Sequence, residues 1–191
     1  YWPRYAEELY RPVEKEELPD LPLEDNRFQI IFTGNIGYAQ GLDILPKAAH
    51  ILKDRGRECC FILVGDGRYR EKLEEEIRTE QVEDMFRLLG RKPAEDVPKY
   101  LAHGDAAFIS FADNELFQMT IPAKLQSYLA CRMPILAAAG GETARIMQEA
   151  GCGICSELGD PEALAAAIVR FIELPVEDRN KMRTAAVDYS T

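Results

Sequence analysis

Short apolar runs alternating with longer stretches of helical period constrain this chain more than any other feature. Phe28-Gln29-Ile30-Ile31-Phe32, Cys60–Val64, Phe86–Leu89, Ala106–Ile109, Ile135–Ala137 and Gly153–Cys155 each read as a strand. Leu42–Lys53 reads as a helix with Leu42, Leu45, Ala49 and Leu52 on one face, and Pro46 falls early enough to be tolerated. Further helices are expected over Tyr69–Arg78, Val97–Ala102, Pro122–Ala130, Thr143–Ala150, Pro161–Ile172 and Glu177 to about Tyr189. Asp160 is the expected cap of the one that Pro161 opens. Strands separated by helices specify βαβ units, and right-handed crossovers place helices on both faces of a parallel sheet. The expected fold class is therefore α/β, a doubly wound, mostly parallel, Rossmann-like sheet of six strands.

Residues 1–26 break that rhythm. They hold four of the eleven prolines (Pro3, Pro12, Pro19 and Pro22), many acids and no sustained period. With no methionine at its start, this stretch reads as a linker cut from something longer, leading into a domain over 27–191. Its aromatic residues Tyr1, Trp2, Tyr5 and Tyr10 are expected to dock on the domain or on a missing neighbour.

Composition narrows the function. Lys and Arg number 23 against 33 Asp and Glu, a net charge of −10, which argues against a free-standing nucleic-acid or anionic-membrane binder. No run of 18 uncharged apolar residues encodes a transmembrane helix, and no leader of secretory type is present. Five cysteines suit a reducing compartment, so the expected class is a soluble, cytoplasmic globular domain.

In an open α/β sheet, ligands bind beyond the carboxyl ends of the strands. The loop after the first strand, Thr33 to Gly41, places Gly34, Gly37 and Gly41 before a helix, where backbone could approach a phosphate. Its spacing fits neither the dinucleotide fingerprint nor the P-loop, and plain turn chemistry is the competing reading. The loop after the fourth strand carries Asp113-Asn114-Glu115, then runs to Pro122-Ala123-Lys124. Pro122 is expected as the first helical residue, which puts Lys124 in the first turn. A cation there opposes the helix dipole unless an anion binds; a merely solvated lysine is the alternative. Gly140-Gly141 is a third glycine turn before a helix, and Gly65-Asp66-Gly67 reads as structural. Cys152-x-x-Cys155 lacks a second pair at zinc spacing, Cys59 and Cys60 should face opposite sides of a strand, and the cysteines read as structural. His50 and His103 have no nucleophile or ligand partner at useful spacing.

Taken in order, FTGNIGYAQGLDIL, FILVGDGRYREKL, FRLLGRKPAEDVPKYLAHGDAAFI, IPAKLQSYLACRMPIL and GGETARIMQEAGCGI resemble the C-terminal, donor-binding half of a GT-B glycosyltransferase. The family is the retaining enzymes called glycosyltransferase group 1. The resemblance covers nearly the whole chain, with YWPRYAEELYRPV similar to the linker that leaves the N-terminal domain. It is nearest to bacterial polysaccharide enzymes that transfer N-acetylated amino sugars.

The resemblance implies transfer of a sugar, with retention, from a nucleoside diphosphate, UDP being the expected nucleotide. The acceptor is then a saccharide or a lipid-linked one, in cell-surface polysaccharide synthesis. It implies donor contacts at Gly34, Asn35, Gly37, Gln40, Arg91, Lys92, Glu115, Met119, Thr120, Lys124 and Ser127, and names no catalytic residue. Where many members carry an Arg and a Lys in the first loop, this chain has Asn35 and Gln40. Where many carry two glutamates eight apart, it has Met119 and Ser127. Lys124 then stands as the surviving cation at the diphosphate. The resemblance implies no metal or other cofactor, and it leaves the acceptor site and any membrane contact to a missing N-terminal domain. A sugar-nucleotide epimerase half and a non-catalytic nucleotide-binding α/β module are the rival readings. Phe32 and Thr33 stand where a receiver module would need acids.

Overall fold

The structure, a computed structural model, describes residues 8–113 and 122–190, without the side chains of 187, 189 and 190. Six strands, β1 (Phe28–Thr33), β2 (Cys59–Val64), β3 (Phe86–Gly90), β4 (Ala106–Ser110), β5 (Ile135–Ala138) and β6 (Gly153–Ser156), make one sheet. Every neighbouring pair is parallel, in the order β3-β2-β1-β4-β5-β6. The expected six-stranded, doubly wound, Rossmann-like fold is what forms. Strand order reverses between β1 and β4, so the crevice where such sheets bind ligands opens at the carboxyl ends of those two strands.

Side-chain alternation along the strands divides the core in two. Ile30, Phe32, Phe61, Leu63 and Phe108 face one side, where α1 (Ile44–Asp54), α2 (Arg70–Thr79) and α6 (Pro161–Glu173) pack. Ile31, Ile62, Ala107, Ile109 and Ile135 face the other, under α3 (Val97–Leu101), α4 (Ala123–Ala130), α5 (Gly141–Ala150) and α7 (Val176–Ser190). Cys59 and Cys60 fall on opposite faces, as their adjacency in a strand requires.

Five helix starts differ from the sequence expectation, those at Arg70 and Val176 by a single residue from the expected Tyr69 and Glu177. Gly41 turns left-handed at φ 59°, which delays α1 to Ile44 instead of Leu42. Pro122, at φ −69° and ψ 135°, is the extended cap of α4 and not its first residue. Proline fixes φ but leaves ψ free, so it can precede a helix as readily as open one. The helix expected from Thr143 begins two residues earlier, at Gly141. Asp160 does cap α6, its side chain accepting from the Ala163 N–H at 3.0 Å.

The segment ahead of β1 lies against the domain. Leu18 and Leu21 exchange backbone hydrogen bonds, and Leu21 is buried in the second core half. Asp25 accepts from Arg27 at 2.7 Å and from Arg87 at 3.2 Å. Among the expected docking aromatics, Tyr10 packs on the second core half. Tyr1, Trp2 and Tyr5 lie outside the described residues.

The loops after β1 and β2 are joined by backbone. Gly34 N–H donates to Val64 O and Ile36 N–H to Asp66 O, each at 2.9 Å, while Gly65 N–H donates to Gly90 O at the end of β3, also at 2.9 Å. This closeness depends on Gly65, which sits at φ +144°, where a Cβ would lie 1.8 Å from the Gly34 carbonyl oxygen. Gly65→Ala should therefore destabilise the fold by about 3 kcal/mol or more, combining backbone strain with forced loop separation. Gly56→Ala, also at positive φ but with nothing near its Cβ, should cost only about 1 kcal/mol. Urea denaturation of the two variants beside the wild type measures the difference.

Candidate functional site

A cleft of about 500 Å³ opens at the carboxyl ends of the first strands, a volume suited to a small-molecule site. Its floor is the glycine contact just described, Thr33-Gly34-Asn35 from the first loop against Val64-Gly65-Asp66 from the second. The loop after β3 forms one wall with Arg91 and Lys92, and the first turns of α4 form another with Lys124 and Ser127.

Buried Tyr128 seats α4 against that floor. Its hydroxyl accepts from the Thr33 N–H at 3.0 Å, taking up a backbone donor where β1 ends. Lys124 lies one turn earlier, at i−4 on the same helix face, and so is carried to the end of β1. The far end of the first loop is pinned by β4. Ser110 Oγ donates to Gln40 O at 2.5 Å, and Ala112 N–H donates to Ala39 O at 3.0 Å.

These constraints converge on Lys124 Nζ. It donates to Gln40 Oε1, stands 4.1 Å from the centroid of the Phe32 ring, and lies so near Gly34 that a Cβ there would be 3.5 Å away. No carboxylate pairs with Lys124 among the described residues. Burial pushes its ammonium down from 10.5 to about 7. An aromatic face and a neutral amide compensate the charge only in part, and at the start of α4 the helix dipole opposes it. An anion entering the cleft would supply the missing countercharge.

The third loop is arranged differently. Lys92 meets Asp20 of the leading segment at 2.5 Å and stands 5.5 Å from the Tyr100 ring centroid. Tyr100 in turn donates to Asp20 at 2.9 Å. Burial works to raise the Asp20 carboxyl, but the hydrogen bonds from Lys92 and Tyr100 outweigh it and hold Asp20 below its ordinary value. Lys92 is thus already neutralised, whereas exposed Arg91 forms no ion pair among the described residues.

Of the residues singled out from sequence, Gly34, Asn35, Arg91, Lys92, Lys124 and Ser127 share this cleft. Gln40 reaches it through Lys124, and Gly37 precedes the short 3-10 turn Tyr38–Gln40 behind it. Glu115, Met119 and Thr120 lie outside the described residues. Tyr10, Thr33 and Asp66 line the cleft without having been picked out. The Gly-Asp-Gly turn could have signalled Asp66, since it too follows a strand; Tyr10 is expected to dock on the domain or on a neighbour, but nothing in the sequence points it to the cleft. Elsewhere, all five thiols are free. Burial pushes Cys131 up to about 12 and Cys152 up to about 11, far from a reactive thiolate. His50 Nδ1 lies 3.0 Å from Glu80 O and His103 Nε2 lies 2.7 Å from Glu16 O. Among the described residues no group of three or more His, Cys, Asp or Glu gathers to hold a metal, and no helix is long and apolar enough to cross a membrane.

The cleft thus lies beyond the carboxyl ends of the strands, where doubly wound α/β sheets bind their ligands. Comparison with known proteins is more specific. The family described as "Glycosyl transferases group 1" matches residues 13–188, and the chain belongs to it. It is 29% identical over 170 residues to "Probable glycosyltransferase WbjE" of Pseudomonas aeruginosa, covering 85% of this chain and 41% of the relative. It is 24% identical over 175 residues to "Amylovoran biosynthesis glycosyltransferase AmsK" of Erwinia amylovora, covering 84% of this chain and 42% of the relative. The chain therefore spans about two fifths of the length of these curated relatives. Among solved structures, Anabaena Alr3699/HepE in complex with UDP-glucose superposes with a TM-score of 0.68 at 22% identity, covering 86% of this chain and 43% of that one. That likeness shows a shared fold.

The depressed ammonium of Lys124 links stability to pH. Between about 7 and the ordinary 10.5, the unfolded chain holds more protons at this residue than the folded one. Its burial penalty is complete below that window and is relieved as pH rises through it. Wild-type stability should thus rise relative to Lys124→Met from pH 7 toward pH 10. Parallel urea titrations of the two proteins across that range check it, and parallel curves would contradict the buried-charge assignment.

Proposed function

We propose that this chain is the donor-binding half of a retaining glycosyltransferase that uses a nucleoside-diphosphate sugar, with UDP as the nucleotide. The acceptor is a saccharide or lipid-linked saccharide of cell-surface polysaccharide synthesis, bound by an N-terminal domain outside this chain. The observation that carries the reading is Lys124, a partly desolvated cation with no carboxylate partner among the described residues, at the start of a helix and over a glycine floor. Family membership and a structural neighbour solved with UDP-glucose support it.

In this reaction the bond between the anomeric carbon and the diphosphate oxygen breaks, and negative charge grows on the departing diphosphate. Groups aimed at that charge accelerate the step because they interact more strongly with the transition state than with the ground state. Lys124 and the amides at the start of α4 are the groups this domain offers, with Gln40 holding the ammonium in place meanwhile. Ser127, one turn along from Lys124, faces the same cleft and is positioned to meet the nucleoside. The reading takes no resident metal. It places the enzyme in the cytoplasm, with any contact with a membrane made by the other domain.

The isolated chain is expected to bind UDP weakly and to transfer no sugar, since one wall of the two-domain cleft is elsewhere. A charge-assisted contact with phosphate is worth about 1.5–3 kcal/mol, so Lys124→Met should weaken UDP binding about ten-fold or more. Calorimetric titration of UDP at pH 7 measures this. Equal affinity in Lys124→Met, with a loss in Arg91→Ala instead, would move the diphosphate to the third loop. Sugar transfer by these 191 residues alone would overturn the division of labour between domains.

A further inference from the structure

We propose that Tyr10, on the segment leading into the domain, is a wall of the donor cleft and stacks its ring against the nucleoside. The inference rests on the donor reading above and adds a residue that lies outside the sheet and its strand-end loops.

Three contacts hold that segment against the domain, so the position of Tyr10 is built in. Leu21 is buried in the core beneath α3 and α4, with its backbone paired to Leu18. Asp20 is held by Lys92 at 2.5 Å and by the Tyr100 hydroxyl at 2.9 Å. The Glu16 carbonyl lies 2.7 Å from His103 Nε2, within hydrogen-bond reach. Upstream of these anchors Tyr10 packs on the same core half and reaches the cleft. It is the one aromatic side chain among the described residues that line the cleft.

The segment alters the cleft in two ways that point to the same ligand part. Through Asp20 it cancels the charge of Lys92, removing a cation that phosphate could use. Through Tyr10 it adds a flat, partly buried ring to a lining otherwise made of backbone, small apolar residues and polar side chains. Neither change helps to bind phosphate. Both suit the neutral part of a nucleotide, because a π face stacks on any base and a ring held in place loses little freedom on binding.

The experiment titrates the chain with UDP and with inorganic pyrophosphate, using wild type, Tyr10→Leu, Tyr10→Phe and Lys124→Met. Leucine keeps apolar bulk against the core but has no ring face, and melting curves confirm that each variant is folded. Tyr10→Leu should lower UDP affinity about ten-fold and leave pyrophosphate affinity unchanged, Tyr10→Phe should match wild type, and Lys124→Met should lose affinity for both ligands. Unchanged UDP affinity in Tyr10→Leu overturns the inference and would leave Tyr10 as a contact for the preceding domain. An equal loss in Tyr10→Phe and Tyr10→Leu overturns it in favour of the hydroxyl. An equal loss of UDP and pyrophosphate in Tyr10→Leu overturns it in favour of general disruption. Where pyrophosphate binds too weakly to titrate, the comparison of Phe with Leu decides alone. If wild type binds no UDP, the donor reading fails and this inference with it. If wild type binds UDP and Lys124→Met does not, only the Tyr10 results bear on the inference.

Discussion

Everything in the cleft is built on the approach of two glycines. Gly65 presses so near the carbonyl of Gly34 that no side chain fits between them, and the two loops share their backbone hydrogen bonds as strands do. The result is a floor of peptide groups at the carboxyl ends of β1 and β2, with no side chains projecting from the point of contact. Such a floor can come close to a ligand, because backbone that carries no Cβ takes little room. The walls are then set by what is hung around it. Tyr128 seats α4, Ser110 pins the turn that carries Gln40, and Asp20 draws the leading segment across the third loop.

Lys124 shows what this arrangement costs. A lysine brought partly out of water at the positive end of a helix dipole, with no carboxylate beside it among the described residues, is an unfavourable placement by itself. An aromatic ring and an amide oxygen offset part of that cost. The cation is therefore most comfortable when an anion is bound. Lys92 is the opposite case: its nearby carboxylate satisfies it, and the same anion would gain much less from it.

Much of the fold was legible before any coordinates. Apolar runs such as Cys60–Val64, set between amphipathic segments, specify parallel strands and crossover helices, because the two periods bury different faces. The match of Lys124 with Gly34 was legible in part. Both follow strands, and strand-end loops converge in this fold class. Helix starts were less legible: Gly41, Pro122 and Gly141 all sit where local preference permits a turn, a cap or a first turn equally well.

Sequence by itself determined the sheet, the order in which its loops return to one edge, and the family to which the chain belongs. Those follow from local periodicity and from motif order, both written along the chain. Only the tertiary structure decided which charges are free. Lys92, Arg91 and Lys124 are alike as residue types, yet one is paired by Asp20 from more than seventy residues upstream, one is exposed, and one is desolvated over Phe32. Tyr10 likewise belongs to the cleft only because Leu21 and Asp20 fasten its segment to the domain. Burial and distance, which set the strength of a charge, depend on partners remote in sequence, and folding alone brings those partners together.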